Sequence, residues 1–435
     1  MQKDYISVEQ SLGLKGSVKL AGAKNAVLVI IASLILTDGK SKLTNVPNSE
    51  DIGFMCQLIE ELGGIIKFDI KNKILEIDTT GITKYTVSPH LMHAMRASVL
   101  VMGPLLAKFG RTEVTLPGGC VIGKRPINYH LKNFRKMGVK IFQDRAHLCA
   151  SVDKLQPARI VLDYPSVGAT ENILMAATLT TGITKIINAA IEPEVIDLID
   201  VLKKMGAKIE INAPATIVIE GVETLKPIEH EILHDRLEAG SLLLAAAVTQ
   251  GEIYLPDADP NNLDVFLMKL EEMGHILKYE EGKKGIGLIG TDNPIAVSFK
   301  TSPYPGFPTD LQAPMMVAQC LSRGTCIIEE TVFENRMLHV HELQKLGAVI
   351  NVTGTKAEIT GVEELYGTEV IGTDIRSSMA LVLAGLAAKG NTEISGLKHF
   401  RRGFDAMECK LQQLGAKITV FDPQIILESE QENAI

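Results

Sequence analysis

VIDLIDVLKKMGAKIEI, residues 195–211, holds a whole structural unit in miniature. Val195, Leu198, Ile199, Leu202 and Met205 fall at the three-to-four spacing of a helix with one apolar face. Gly206 can take a positive φ and stop that helix. Ala207, Ile209 and Ile211 then alternate with Lys208 and Glu210, as a half-buried strand does. The same phrase, Leu or Met followed by Gly and an alternating stretch, returns as LGGIIKF at 62, MGVKIFQ at 137, MGHILKY at 273, LGAVINV at 346 and LGAKITV at 414. Its glycines, Gly63, Gly138, Gly206, Gly274, Gly347 and Gly415, are spaced almost evenly along the chain. A second set, Gly39, Gly110, Gly182, Gly251, Gly324 and Gly390, precedes them by about a third of that period each time. Two landmarks in step six times mark an internal repeat.

Ahead of the second set run stretches such as NAVLVIIASLIL, ENILMAATLT and SSMALVLAGLAA, apolar nearly all round, which predicts buried helices ended by those glycines. A β-branched run follows (KLTNV, TEVTL, TKIIN, EIYLP, TCIIE, TEISG), then the amphipathic helix and one or two alternating strands. The expected fold class is α/β, with six units that enclose apolar helices behind sheets. A period near 70 is longer than the familiar helical repeats, so closed domains of three units each are expected rather than a solenoid. The Pro-containing, mixed-charge stretch at 221–235 places the boundary near residue 233. Residues 5–20 precede the first apolar helix and have no partner there. By phase they belong to the sixth unit, which assigns 22–233 to one domain and 1–21 with 234–435 to the other, joined by two crossings with a cleft between them, a preferred place for ligands.

With 435 residues, 46% apolar and 22% charged, the chain is globular rather than disordered. Forty-four Lys and Arg against 52 Asp and Glu leave a net charge of −8, unlike a nucleic-acid binder, so an anionic ligand needs a local basic pocket. The absence of Trp and the 5% of aromatic residues also speak against platforms for single-stranded nucleic acid. The longest nearly unbroken apolar run, Ala26 to Leu36, falls well short of the roughly 20 residues a bilayer requires. MQKDYISVEQ is not a signal peptide, and six scattered cysteines without a CxxC pair fit free thiols in a reducing cytoplasm. Oligomeric state leaves no sign in the sequence.

Polar groups recur where the buried helices begin: AGAKNA (Lys24, Asn25), HAMRAS (Arg96), SVGATEN (Ser166, Glu171, Asn172), HDRLEAG (Asp235, Arg236, Glu238), FPTDLQ (Asp310) and TDIRSS (Asp374, Arg376). Ser, Asp and Asn there are ordinary helix caps or anion-site groups. Lys24, Arg96 and Arg376 oppose the helix dipole, and an anionic ligand would account for them. PGGCVIGKRP, residues 117–126, matches a phosphate loop except that Arg125 stands where Ser or Thr should hold magnesium, which counts against a nucleotide hydrolase. What remains is the Cys120 thiol in a Gly-rich loop beside Lys124 and Arg125, a setting for a reactive thiolate or a tuned proton donor. A buried, inert thiol is the expectation for the other five cysteines. FENR (333–336) and FRRG (400–403) are expected at strand ends in the same phase. His90 with His93, and His339 with His341, lack the further ligands of a metal site.

Taken together, GAKNA, MRAS, PGGCVIGKRP, PSVGATEN, GFPTDLQAP, FENR and DIRSSMALVLAG resemble the UDP-N-acetylglucosamine 1-carboxyvinyltransferase family of enolpyruvyl transferases, along essentially the whole chain. The resemblance implies a two-domain inside-out α/β barrel of six repeats. It also implies phosphoenolpyruvate and UDP-N-acetylglucosamine as substrates, a tetrahedral phospholactoyl ketal, release of phosphate, the opening step of peptidoglycan synthesis, and no cofactor or metal. Cys120 matches the family's proton donor, which also forms an adduct with phosphoenolpyruvate and is alkylated by the epoxide fosfomycin. Asp310 matches the candidate general base near the sugar 3-hydroxyl. Lys24, Arg125 and Arg402 match the cations around the transferring phosphate, and Arg336 and Arg376 those at the carboxylate end. Asn25 and Arg96 match substrate contacts, and Arg125, Pro126, Ile127, Asn128, Tyr129 and His130 the uridine-holding stretch. Ser166, Val167 and Gly168 resemble the diphosphate turn and Val332 a sugar-nucleotide contact; Tyr164 stands where some relatives carry Lys. The sister 5-enolpyruvylshikimate-3-phosphate synthases usually have GDKS where this chain has GAKNA, and no counterpart to PGGC. A silent nucleotide-sugar-binding repeat protein would not need Cys120, Lys24, Asp310, Arg336, Arg376 and Arg402 together.

Overall fold

Six helices that are apolar on nearly every side decide the architecture: Lys24–Leu34, Met102–Phe109, Val167–Thr178, Arg236–Val248, Gln312–Cys320 and Ile375–Ala387. Every residue from Ala26 to Leu34 is buried, as is every residue of Gln312–Cys320. Ala, Leu and Met make good helix, and a helix with no polar face has to be covered all round. The cover comes from short sheets and from helices with one apolar face, such as Glu50–Leu62 and Pro193–Met205. In the computed structural model, which describes residues 4–115, 127–145 and 147–422, these elements make a mixed α/β fold of two units. One comprises residues 4–20 and 235–422, the other the described part of 21–234.

Within 21–234 the strand after each inner helix heads a sheet. Lys40–Thr44 pairs antiparallel with Ile74–Asp78, and that strand with Ile65–Asp69. The place on the other side of Lys40–Thr44 is taken, in parallel, by Glu229–Glu231, from the opposite end of the same unit. Ile183–Ile187 receives Arg159–Val161 in the same way. At Arg111–Thr115 that place is reduced to a single parallel bridge, Thr86 to Glu113. Each sheet therefore takes chain from the unit before it, and Glu229–Glu231 closes the circle.

Residues 4–20 and 235–422 repeat the scheme. Thr325–Glu329 receives Phe299–Lys300, Asn391–Ser395 receives Glu369–Ile371, and Glu252–Leu255 receives Lys15–Ser17. Tyr5–Glu9 lies between Asn391–Ser395 and Lys417–Phe421, antiparallel to both, with Ile6 opposite Ile394 on one side and Val420 on the other. Ile6 and Val8 are buried in the same apolar cluster as Leu381 and Ile394.

Local stops differ in part from the sequence reading. All six glycines of the LG or MG phrase take φ between 89° and 111°, the left-handed turn that ends the amphipathic helices. The earlier glycine set was expected to end the inner helices, and only Gly110 does so. The other five stand a few positions beyond the helix ends. Hydroxyls act first: Thr180, Thr249 and Ser322 donate to the carbonyls of Ala176, Ala245 and Ala318, and Thr37 to that of Leu34, closing the last turn before glycine is reached. FRRG does not end a strand. Gly396, at φ 89°, turns the chain out of Asn391–Ser395 and into a helix, Leu397–Gly403, that carries Arg402. No helix among the described residues is long and apolar enough to cross a membrane.

Because Tyr5–Glu9 is an interior strand, truncating its buried side chain opens a cavity rather than freeing an edge. Ile6→Ala is expected to cost about 2–5 kcal/mol, measured as a lower urea midpoint; an unchanged midpoint would show that the strand is dispensable.

Candidate active site

Asp310 sits in a short 3-10 turn, Thr309–Leu311, just before the inner helix Gln312–Cys320. It is not a cap. Its Oδ1 accepts from Arg336 Nη2 at 2.9 Å and from Arg376 Nε, so one carboxylate is clasped by two guanidinium groups. Arg336 comes from the loop after strand Thr325–Glu329, is 4% exposed, and lies over the Phe333 ring at 4.3 Å. Burial and neighbouring Arg376 pull its pKa down to about 10, while Asp310 and Glu330 act the other way. Arg376 is the second residue of the inner helix Ile375–Ala387, whose cap is Asp374, accepting from the N–H groups of Arg376 and Ser377 at 2.9 and 3.3 Å. The Leu397–Gly403 helix packs against that same helix start, since any side chain at Gly403 would collide with Ile375. It brings Arg402 close enough to depress the His399 pKa, after burial and Lys398, while Asp374 raises it. Val332 enters the group through its backbone N–H, which donates to the buried Glu330.

A second group of expected site residues lies within 21–234. Lys24 is the first residue of its helix, opposing the dipole, and Asp51 supplies a counter-charge at 2.9 Å with both side chains largely buried. Asn25 beside it is exposed. Ser166 caps Val167–Thr178, accepting from the Ala169 N–H at 3.4 Å. The helix Asn128–Lys136, whose cap position is Ile127, starts against this turn: His130 Cε1 would lie 3.4 Å from a Cβ at Gly168. Asn128 and Tyr129 are exposed and half-buried, whereas His130 is buried with its Nδ1 3.0 Å from Asn172 Nδ2. Asn172 also accepts from the Gly103 N–H and donates to the Val99 carbonyl, so it fastens two inner helices as well as the histidine. The uridine and diphosphate stretches expected from the sequence are thus neighbours, with His130 turned into the unit. Cys120, Arg125 and Pro126 lie outside the described residues, as does the side chain of Arg96.

Capping accounts for Ser166, Asp235 and Asp374 among the polar helix starts. Three of the five remaining cysteines, Cys56, Cys320 and Cys326, are buried with thiol pKa values pushed up to about 12, chiefly by that burial. Cys149 and Cys409, expected buried, are exposed: Cys149 points out of its strand, whose residues alternate outward and inward, and Cys409 lies on an outer helix. Among the described residues no three His, Cys, Asp or Glu side chains gather as a metal site would require. The sequence reading missed Asp51, Thr309 and Glu330. The pairing of Lys24 with Asp51 had a faint signal, an acid on the helix that follows the next strand, but the burial of Glu330 had none.

The sequence model of the EPSP synthase family, described as EPSP synthase (3-phosphoshikimate 1-carboxyvinyltransferase), matches residues 8–427. The UDP-N-acetylglucosamine 1-carboxyvinyltransferase 1 of Caldanaerobacter subterraneus subsp. tengcongensis is 47% identical over 417 residues, 96% of this chain and 99% of its own. The UDP-N-acetylglucosamine 1-carboxyvinyltransferase of Thermodesulfovibrio yellowstonii is 44% identical over 416 residues, 95% of this chain and 99% of its own. Among solved structures, the enolpyruvyl transferase NikO from Streptomyces tendae gives a TM-score of 0.87 at 21% identity, over 97% of this chain and 99% of that one. EPSP synthase from Acinetobacter baumannii gives 0.75 at 18% identity, over 96% and 100%. At such identities the structures speak for the fold alone.

Glu171, on the inner helix Val167–Thr178, has its pKa raised to about 8 by burial and by Glu192 and Glu194. Between the usual glutamate range and pH 8 the native chain keeps a proton that the unfolded chain releases, so stability falls as pH rises through that window. Glu171→Gln is expected to lessen that fall by an amount on the order of a few kcal/mol, read as urea midpoints at pH 5 and pH 8. Parallel pH profiles for variant and wild type would contradict the assignment.

Proposed function

The chain belongs to the EPSP synthase family of carboxyvinyltransferases, and from that premise we propose that it transfers the enolpyruvyl group of phosphoenolpyruvate to the 3-hydroxyl of UDP-N-acetylglucosamine, releasing phosphate. The observation that carries the choice of acceptor is identity of 44 to 47% along nearly the whole chain to proteins named for that reaction, against 18% to the EPSP synthase structure. This assigns the chain to the first committed step of peptidoglycan synthesis. We read the fold in the same way, as the family's inside-out α/β barrel with domains 22–233 and 1–21 with 234–435.

In this mechanism Cys120 gives a proton to the methylene carbon of phosphoenolpyruvate, leaving its C2 electron-poor. The sugar 3-hydroxyl bonds to C2 and passes its proton to Asp310, which completes the ketal. The C2–O bond to phosphate then breaks, the phosphate takes the bonding pair together with the proton held by Asp310, and a proton of the new methyl group returns to the Cys120 thiolate, which restores the double bond. Lys24, Arg125 and Arg402 meet the phosphate, whose charge grows as it departs, and fixed cations lower the barrier by meeting that charge without reorganising. Arg336 and Arg376 meet the substrate carboxylate. Each guanidinium has five N–H donors, so a bond to Asp310 does not exhaust it. Clasping by Arg336 and Arg376 fixes the Asp310 carboxylate in one orientation, which general-base work requires.

Phosphate release from phosphoenolpyruvate should occur with UDP-N-acetylglucosamine and not with shikimate 3-phosphate or without acceptor. Cys120→Ser and Asp310→Asn should each lower kcat by about 100-fold or more in a protein that still melts cooperatively. Release with shikimate 3-phosphate would move the chain to the sister reaction, and near-normal turnover in either variant would remove that residue from the chemistry. Fosfomycin should inactivate the wild type with added mass on the peptide containing Cys120; an unmodified peptide after prolonged exposure with the sugar nucleotide would contradict its role.

A further inference from the structure

Glu330 is the most deeply buried carboxylate among the described residues, 1% exposed, and directly follows the strand Thr325–Glu329. Its Oε1 accepts from Thr301 Oγ1 at 3.0 Å and from the backbone N–H groups of Val332 and Phe333 at 2.8 and 3.1 Å. Its Oε2 accepts from Thr309 Oγ1 at 2.8 Å. Thr309 Oγ1 also accepts from Arg336 Nη1. A guanidinium has donors only, so the single hydroxyl proton of Thr309 must point to Glu330. The Thr301 hydroxyl accepts from the Thr331 N–H at 2.9 Å, which leaves its proton for Glu330 as well. Four donors converge on one buried group, and a carboxylate is the side chain that can accept them all without bringing a proton of its own.

Three of these bonds lead to the site. Thr309 precedes Asp310 in the same 3-10 turn, and Arg336, which bonds Thr309 through Nη1, bonds Asp310 through Nη2 at 2.9 Å. Val332 and Phe333 belong to the loop that carries Arg336, and the Phe333 ring lies under its guanidinium. We propose that Glu330 is a positioning residue for the transfer reaction: acting through Thr309, it holds Asp310 and Arg336 in register, and through the N–H groups of Val332 and Phe333 it fixes the loop that supplies Arg336. The proposal rests on the functional reading above. Glu330 itself has its hydrogen bonds to Thr301, Thr309, Val332 and Phe333, and in this role it acts through them. In Glu330→Gln, which keeps the size, the new NH2 group must face donors wherever it is placed. At the Oε2 position it confronts the Thr309 hydroxyl, and the link to Arg336 is broken from behind.

The test compares wild type, Glu330→Gln, Thr309→Val and Thr309→Ser in full-length protein, by thermal melting and by steady-state phosphate release from phosphoenolpyruvate with UDP-N-acetylglucosamine. Misplacing Asp310 against the 3-hydroxyl should lower kcat about 10- to 100-fold in Glu330→Gln and Thr309→Val. KM for the sugar nucleotide should stay within about threefold, because the lost alignment matters in the transition state. Thr309→Ser keeps the hydroxyl and should recover most of the kcat lost in Thr309→Val. Folded Glu330→Gln and Thr309→Val with wild-type kcat, a change confined to KM, or a Thr309→Ser as impaired as Thr309→Val would each overturn the proposal. If Glu330→Gln does not fold, the two Thr309 variants decide alone. A wild type that releases no phosphate would overturn the functional reading itself, a result distinct from loss of the variants only.

Discussion

A helix that is apolar on all sides has no stable place except behind a wall, and most of this molecule is the wall. Each of the six inner helices is followed by a strand that starts its own sheet, and among the described residues five of the six sheets take a finishing strand from another stretch of chain, while the sheet of Arg111–Thr115 takes only a single bridge. Glu229–Glu231 beside Lys40–Thr44 and Lys15–Ser17 beside Glu252–Leu255 show the extreme cases, in which the finishing strand comes from the far end of the unit. The candidate site groups follow from this arrangement. Inner-helix starts and the loops after first strands recur at one phase of the pattern, so Asp310, Arg336 and Arg376, from three different segments, meet within hydrogen-bond distance.

What could be read from sequence was what local chemistry decides. The phrase at Met205 and Gly206 signals a helix end because a single residue with φ near 110° is enough to make one. The inner helices were visible as segments, but their ends were not, because the hydroxyls of Thr180 and Thr249 compete with glycine for the job and propensity does not reveal which acts first. The helix that carries Arg402 was read as a strand end, since nothing local marks Gly396 as a change of direction. Candidate residues were found where charge opposed an expectation, as at Lys24 and Arg376. Glu330 opposed none: an acid after TCIIE reads as a solvated loop residue, and its burial is set by the turn at Thr309 and by strand Phe299–Lys300, which leads into Thr301.

The cations are also not waiting bare for an anion. Lys24 has Asp51, and Arg336 and Arg376 share Asp310, with Glu330 one hydroxyl further back. Isolated positive groups brought this far out of water hold their protons less tightly, and for Arg336 burial and Arg376 pull the pKa down to about 10 while Asp310 and Glu330 act the other way. In each unit the acid beside the cation keeps it charged and oriented. Each cation then has its donor directions already set by the acid that holds it.

The strand Tyr5–Glu9 also imposes an order on biosynthesis. Its partners Asn391–Ser395 and Lys417–Phe421 leave the ribosome only after the whole of 21–234 and most of the second unit have been made. At about 5–20 residues per second, it waits on the order of half a minute or more for neighbours. Residues 21–234 have all their own strands available once His234 is in place, and can close first. The later-finished unit must therefore reach back for a segment whose strand partners are not yet made while the earlier one folds.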